Sequence, residues 1–187
     1  LLSGDAQGVV SLWDANGVEE SCSFSEDIGA AVVSAKWMLD WQTAVVGTND
    51  GSVHLLDPRA ASPKTGTVLA HNESFAATAA PLSRSLPHFV SCGVGSGTGA
   101  RRMREWKIWD ARRLSVPIAT DATDEGVGAL CPLVDVDTGL CFLLARGETV
   151  VRVLDAGKAA SASTVRDAQL ATRFLTGGAV GAAPPRH

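Results

Sequence analysis

A few residues have the types and spacing that chemistry needs. His71 and Ser91 offer an imidazole and a hydroxyl, the pairing used in nucleophilic catalysis. Asp135 and Asp137 are paired carboxylates, able to act as general acid and base if a pocket drew their pKa values apart. Gly93-Val94-Gly95-Ser96-Gly97-Thr98-Gly99 has the glycine content of a phosphate cradle. Arg101, Arg102, Arg104, Lys107, Arg112 and Arg113 place six positive charges within thirteen residues, against Glu105 and Asp110. Cys22, Cys92, Cys131 and Cys141 are the four thiols.

Each grouping also has a plainer structural reading. The glycine stretch lacks the Gly-Lys-Ser/Thr ending of a P-loop and opens no helix, so it reads as a hairpin tip. Asp135 and Asp137 precede Thr138-Gly139, and an Asp-x-Asp-Thr-Gly turn accounts for them through local backbone hydrogen bonds. That stretch has too few oxygen ligands for calcium. The cysteines form no Cys-x-x-Cys pair and no His stands at finger spacing, so zinc is not expected and reduced buried thiols are. No cofactor or metal is expected. The basic run has no interleaved aromatic residues to stack bases, which argues against nucleic acid. It reads as a solvated hairpin with one or two structural arginines, or as contact for an acidic partner.

The elements that must position these residues come from a repeat. Four segments align: Val9-Val10-Ser11-Leu12-Trp13-Asp14, Val53-His54-Leu55-Leu56-Asp57, Trp106-Lys107-Ile108-Trp109-Asp110 and Val151-Arg152-Val153-Leu154-Asp155. Their final aspartates are 43, 53 and 45 residues apart. Gln7-Gly8 and Asn49-Asp50-Gly51 precede the first two as tight-turn signals, Gly accepting positive φ at no steric cost. Further apolar strands are expected at 43–48, 88–93 and 140–145, and before them at 31–39, 74–82 and 127–134. A weaker extended segment opens each unit at 21–25, 67–71, 117–120 and 161–166. A short helix is expected over 159–170, and an irregular end or linker in the Gly- and Pro-rich tail.

Four strands per repeat of roughly 40–45 residues, with Trp-Asp endings, define an all-β WD-repeat β-propeller. One such sheet cannot cover both its apolar faces, whereas stacking sheets face to face does so. Units fall at about 1–17, 20–58, 66–111, 117–156 and 160–187, some three and a half blades of an expected seven. In this setting His71, Ser91 and Trp109 are a hydrogen-bonded structural set rather than a catalytic one. Its fourth member, an Asp in the hairpin turn, is missing from that unit. Trp13, Asp14, Asp50 and Asp110 take structural places in the repeat. Trp13, Trp37, Trp109, Leu56 and Leu154 are expected between blades, with the blades carrying Leu56 and Leu154 relying on apolar packing alone.

Composition sets the outer limits. The 187 residues are 45% hydrophobic and 19% charged, too apolar for disorder. The net charge of −4 excludes a globally basic nucleic-acid binder. There is no membrane-length apolar run and no secretory signal. The first residue, Leu1, lies inside an expected strand, which reads as a piece of a longer chain.

The third unit resembles one family. Its Arg101-Arg102-Met103-Arg104 hairpin and Ile108-Trp109-Asp110 strand are followed by Pro132, Asp135-Val136-Asp137-Thr138, Arg146-Gly147-Glu148 and Val151-Arg152, and preceded by Leu56-Asp57-Pro58-Arg59-Ala60 and His71. This order resembles the coronin family over about residues 45–155. The resemblance implies a non-catalytic scaffold of the cytoplasm and cytoskeleton that binds actin filaments, with the actin-nucleating complex as a further partner. It implies no membrane insertion, and oligomerisation only through regions outside this chain, since no heptad pattern runs for three or more heptads within it. A WD-repeat adaptor of another large assembly is the alternative.

Overall fold

In the computed structural model the described residues are 1–14, 22–40, 42–71, 77–84, 86–96, 102–125, 130–145, 150–155, 158 and 172–176. They form four antiparallel sheets, each with its strands in chain order. The first holds β1 (Leu2–Gly4), β2 (Val9–Trp13) and β3 (Cys22–Asp27). The second holds β4 (Val32–Trp37), β5 (Ala44–Thr48), β6 (Ser52–Leu56) and β7 (Lys64–Leu69). The third holds β8 (Thr78–Pro81), β9 (His88–Ser96), β10 (Arg102–Asp110) and β11 (Ala119–Glu125). The fourth holds β12 (Leu130–Asp135), β13 (Leu140–Ala145), β14 (Val150–Asp155) and β15 (Thr172–Thr176).

The extended segment opening each repeat unit is the outermost strand of the sheet before it: β3 pairs with β2, β7 with β6 and β11 with β10. Sheet boundaries are therefore offset from sequence-unit boundaries. In the fourth sheet β15 takes this place, while the expected segment at 161–166 and the helix at 159–170 lie outside the described residues.

Adjacent sheets stack through apolar seams. Val10, Ile28, Ala44, Val46 and Leu56 fill the first seam. Met38, Val45, Val53, Leu55, Phe89 and Trp109 are among those in the second. Trp106, Ile108, Leu130, Leu143 and Leu154 anchor the third. The strand period of two explains the split: Val45 faces forward while Ala44 and Val46 face back, so β5 is buried along its whole length. The outer strands β3 and β7 are exposed at alternate residues.

The residue before each terminal aspartate fills the seam with the preceding sheet. Leu56, Trp109 and Leu154 do this in turn and are 1%, 3% and 0% exposed. Trp13 and Trp37, also expected to be largely buried between blades, are half-buried. No described sheet precedes Trp13. Trp37 packs at the margin of a seam whose other side is a three-stranded sheet led by a three-residue β1.

Turn chemistry follows the residues. Gly51 has φ 85°, and a Cβ there would lie 2.3 Å from the His71 carbonyl oxygen. Only glycine satisfies both demands. Through this close approach the Gly51 oxygen accepts the backbone N–H groups of Ala70 (3.1 Å) and His71 (3.0 Å), tying the β5–β6 hairpin to the exit from β7.

Candidate functional site

The connection leaving β7 delivers His71 into the third sheet, where it is fully buried. The Trp109 indole N–H donates to Ser91 Oγ at 2.8 Å, and Ser91 Oγ lies 2.9 Å from His71 Nε2. His71 Nδ1 lies 2.7 Å from Glu105 Oε1. A carboxylate only accepts, so Nδ1 carries the proton and Nε2 accepts the Ser91 hydroxyl. The fourth member missing from the turn is thus supplied by Glu105, from the third strand itself. It stands five residues before its terminal aspartate, whereas Asp50 stands seven before its own. The longer Glu side chain covers the difference.

Lys107 completes the group, with Nζ 3.0 Å from Glu105 Oε1 and donating to the Ala70 carbonyl. Burial pushes the His71 pKa down, and the opposing pull of Glu105 does not restore it. Burial would raise the Glu105 carboxyl, but hydrogen bonds from His71 and Lys107 outweigh it and hold it below the ordinary value. The neutral imidazole and the ionised carboxylate are the forms this network selects.

Ser–His–carboxylate order is also that of an acyl-transfer triad. Here Ser91 is 0% exposed and its oxygen already accepts the indole N–H. A Cβ on Gly93 would lie 2.4 Å from His71 Cγ, and one on Gly95 2.6 Å from Glu105 Oε2. The Gly93-Val94-Gly95 pattern is therefore the floor on which the imidazole and carboxylate lie. The arrangement braces the seam between the second and third sheets.

The other sheets carry relatives of this set. In the first, Trp13 Nε1 donates to Ser3 Oγ at 2.8 Å, and Asp5 Oδ1 accepts the N–H groups of Gln7 (2.8 Å) and Val9 (2.9 Å). Asp14 is exposed beyond β2. The second sheet corrects an expectation, since it does not depend on apolar packing alone. Asp50 Oδ1 accepts the Thr48 hydroxyl (2.6 Å) and the Ser52 N–H (3.0 Å). His54 Nδ1 lies 3.1 Å from Thr67 Oγ1 on β7. Burial lowers the His54 pKa, Lys64 adding to it. Thr48, His54, Thr67 and Glu105 were missed in the sequence. A polar residue inside an otherwise apolar strand was the available signal for His54.

The basic run is divided by the fold. The β1–β2, β5–β6 and β9–β10 hairpins share one rim, here the upper. The β4–β5, β6–β7, β8–β9, β10–β11 and β12–β13 connections share the other, the lower. Arg102 opens β10 at the upper rim, while Arg112 and Arg113 follow Asp110 at the lower. At roughly 3.3 Å per residue these ends are about 26 Å apart. Between them Arg104 is 2% exposed and Lys107 is engaged as described, so neither is a freely solvated partner contact. Burial and the Arg152 charge lower the Arg104 pKa. Arg101 lies outside the described residues.

At the lower rim β6 and β10 each end in a charged turn. Asp110 accepts Arg112 Nε (2.9 Å), Arg112 Nη2 (2.7 Å) and the Arg112 N–H (2.9 Å). Asp57 holds Arg59 in the same way. Hydrogen bonding from the arginine brings both carboxyls down to about 2. Asp135 accepts the Asp137 N–H (3.1 Å) and the Thr138 hydroxyl (2.6 Å), the local turn its sequence implies. Of the thiols, Cys92 and Cys141 are buried, and burial pushes Cys141 up to about 12. Cys22 and Cys131 are exposed, contrary to expectation for Cys131, which faces outward on β12. No group of three or more His, Cys, Asp or Glu among the described residues could hold a metal.

Stacked four-stranded antiparallel sheets with His–Ser–Trp bracing define a WD-repeat β-propeller, of which this chain carries part. The chain is 34% identical over 150 residues to Coronin-7 of Pongo abelii and 33% identical over 150 residues to that of Homo sapiens. Both matches cover 79% of this chain and 15% of the relative. The WD40 domain of Toxoplasma gondii coronin superposes with a TM-score of 0.72 at 28% identity, over 81% of this chain and 38% of that one. Sqt1 of Chaetomium thermophilum shares the fold alone, with a TM-score of 0.69 at 13% identity over 94% of this chain and 43% of that one. No family model matches. The chain is a coronin-like WD-repeat protein, spanning about 15% of the length of its curated relatives.

Proposed function

We propose that this chain contributes to a non-catalytic scaffold that binds actin filaments. The observation carrying this reading is the shared likeness to Coronin-7 and to a coronin WD40 domain, in sequence and in structure. The buried Ser91 hydroxyl supports a structural rather than a chemical role for the His71 group. The same likeness supports a cytoskeletal location and the actin-nucleating complex as a further partner. No described helix is long and apolar enough to cross a membrane. Co-sedimentation with actin filaments tests the reading directly. The chain is expected in the pellet with filaments and in the supernatant without them, and an unchanged distribution would sink it.

A further inference from the structure

Each seam joins the front face of one sheet to the rear face of the next. The four sheets therefore leave one front face and one rear face with no described sheet against them. The fourth sheet carries the front face. Register and the period of two put Cys131 and Leu133 of β12, Phe142 and Leu144 of β13, and Val151 and Val153 of β14 on it. Their neighbours Leu130, Cys141, Leu143 and Leu154 point back into the third seam and are fully buried. Counted from the terminal aspartates, Leu133, Phe142 and Leu144 stand where the third sheet has Ala80, Val90 and Cys92, all buried in that same seam. On the fourth sheet Leu133 is 61% and Leu144 39% exposed, and Cys131 is exposed as well. Apolar residues contiguous across three adjacent strands mark an interaction surface, where scattered surface leucines would not.

The first sheet carries the rear face. Trp13 holds the place that Leu56, Trp109 and Leu154 hold in the other sheets, where each fills a seam, yet it is half-buried. Its indole N–H donates to Ser3 Oγ, as that of Trp109 donates to Ser91, so the ring already has its polar atom satisfied. Beside it Ser3, Ser11 and Ser25 form a row of small residues across β1, β2 and β3. By the Trp13–Ser3 bond β1 corresponds to β9, so the first sheet has no counterpart of β8 or β12.

We propose that a second copy of this chain covers both faces, the front of the fourth sheet of each copy packing on the rear of the first sheet of the other. The occupant is a copy because the chain itself carries both halves of a seam. The shallow serine row takes the large side chains Phe142 and Leu144, with the Trp13 ring beside them. The place with no innermost strand leaves room for Leu133, where the third sheet has only an alanine. Such a front-to-rear contact makes a ring if its rotation closes and an open chain if it does not. Two copies bring eight sheets, within the roughly 4–8 around which propellers close. Closure covers all four faces, whereas an open chain leaves two bare. The coronin resemblance implies self-association only through regions outside this chain, and the two bare faces are the reason to depart from it. The pairing does not depend on the actin reading.

Sedimentation velocity on the full chain over a range of concentrations tests it. The parent chain is expected at the mass of two copies. A front variant, Leu133→Glu with Leu144→Glu, and a rear variant, Ser11→Glu, each put a charge into the proposed seam without removing a contact inside the chain. Each alone is expected to associate at least about ten-fold more weakly, because a carboxylate would be buried unpaired. Mixed together, the two variants are expected to form a one-to-one pair, since the front of one and the rear of the other are intact. That recovery also shows that both variants are folded. A parent chain that stays monomeric at every concentration overturns the proposal. So does a dimer that the rear variant leaves unchanged, which would be a front-to-front contact, or a pair of variants that does not recover on mixing. Association that climbs past two copies overturns the closed ring.

Discussion

The second and third sheets meet the same packing demand in different ways. Each must fill its rear seam from the position before the terminal aspartate. The second does it with Leu56, which has no polar atom to satisfy. Its polar residues Thr48, Asp50, His54 and Thr67 pair within the sheet, from β5 across to β7. The third uses Trp109, stacked on Phe89 with ring centroids 6.4 Å apart. A buried indole N–H needs an acceptor, and that need draws in Ser91, then His71, then Glu105. Because His71 enters from the end of the second sheet, the chain of bonds crosses the seam. A polar atom on the seam residue turns an intra-sheet set into an inter-sheet brace.

The largest expected effect comes from removing the seam residues themselves. Trp109→Ala is expected to lose about 3–5 kcal/mol and Leu56→Ala about 2–5 kcal/mol, read by chemical denaturation. Trp109→Ala should also strip Ser91 of its donor, so a double-mutant cycle with Ser91→Ala should show coupling, whereas Leu56→Ala with Thr48→Val should be close to additive. Equal coupling in both sheets would erase the distinction drawn between them.

A smaller effect is expected from the glycine floor. Gly93→Ala puts a methyl group against the His71 ring and is expected to cost about 1–3 kcal/mol. A stability equal to that of the parent chain would mean that His71 is free to move and that the brace is loose.

The smallest effect is the pH dependence. His71 and His54 are both held below the ordinary imidazole value of about 6.5. Below that value the unfolded chain takes up protons that the folded chain refuses. Stability is therefore full above about pH 6.5 and declines as the pH falls toward the folded-state values. Glu105, held low in the fold, adds a further loss at more acid pH, as the pH falls through its folded value. His71→Gln is expected to flatten the upper part of this decline more than His54→Gln, because His71 is the more deeply buried. Melting temperatures between pH 7 and 5 measure it, and identical slopes would show that the brace holds its histidine no more tightly than the intra-sheet set.

The strands were legible because their signals are local. Alternating apolar residues, Asp endings at 43, 53 and 45 residues and glycine turns mark β2, β6, β10 and β14 without reference to anything distant. The stacking of sheets follows too, since β5 is apolar at residues facing both ways. The site was only partly legible. His71, Ser91 and Trp109 could be matched to places in the repeat, but Glu105 could not, because side-chain reach rather than sequence register puts its carboxylate on His71.

The basic run shows most clearly where a linear reading stops. Six cations within thirteen residues look like one patch in one dimension. A β-strand spreads neighbours along about 3.3 Å per residue and turns alternate side chains to opposite faces. That geometry buries Arg104, commits Lys107 to Glu105 and sends Arg112 and Arg113 to the far rim. There the β10–β11 connection that carries them is tied to the β8–β9 connection by the Ala111 N–H and the Pro87 oxygen, which no local pattern joins. Strand identity, turn positions and the apolar faces follow from interactions within a few residues. The partners of Glu105 and the burial of Trp13, Trp37, Trp106 and Trp109 follow from which sheets touch, and long-range packing sets those contacts.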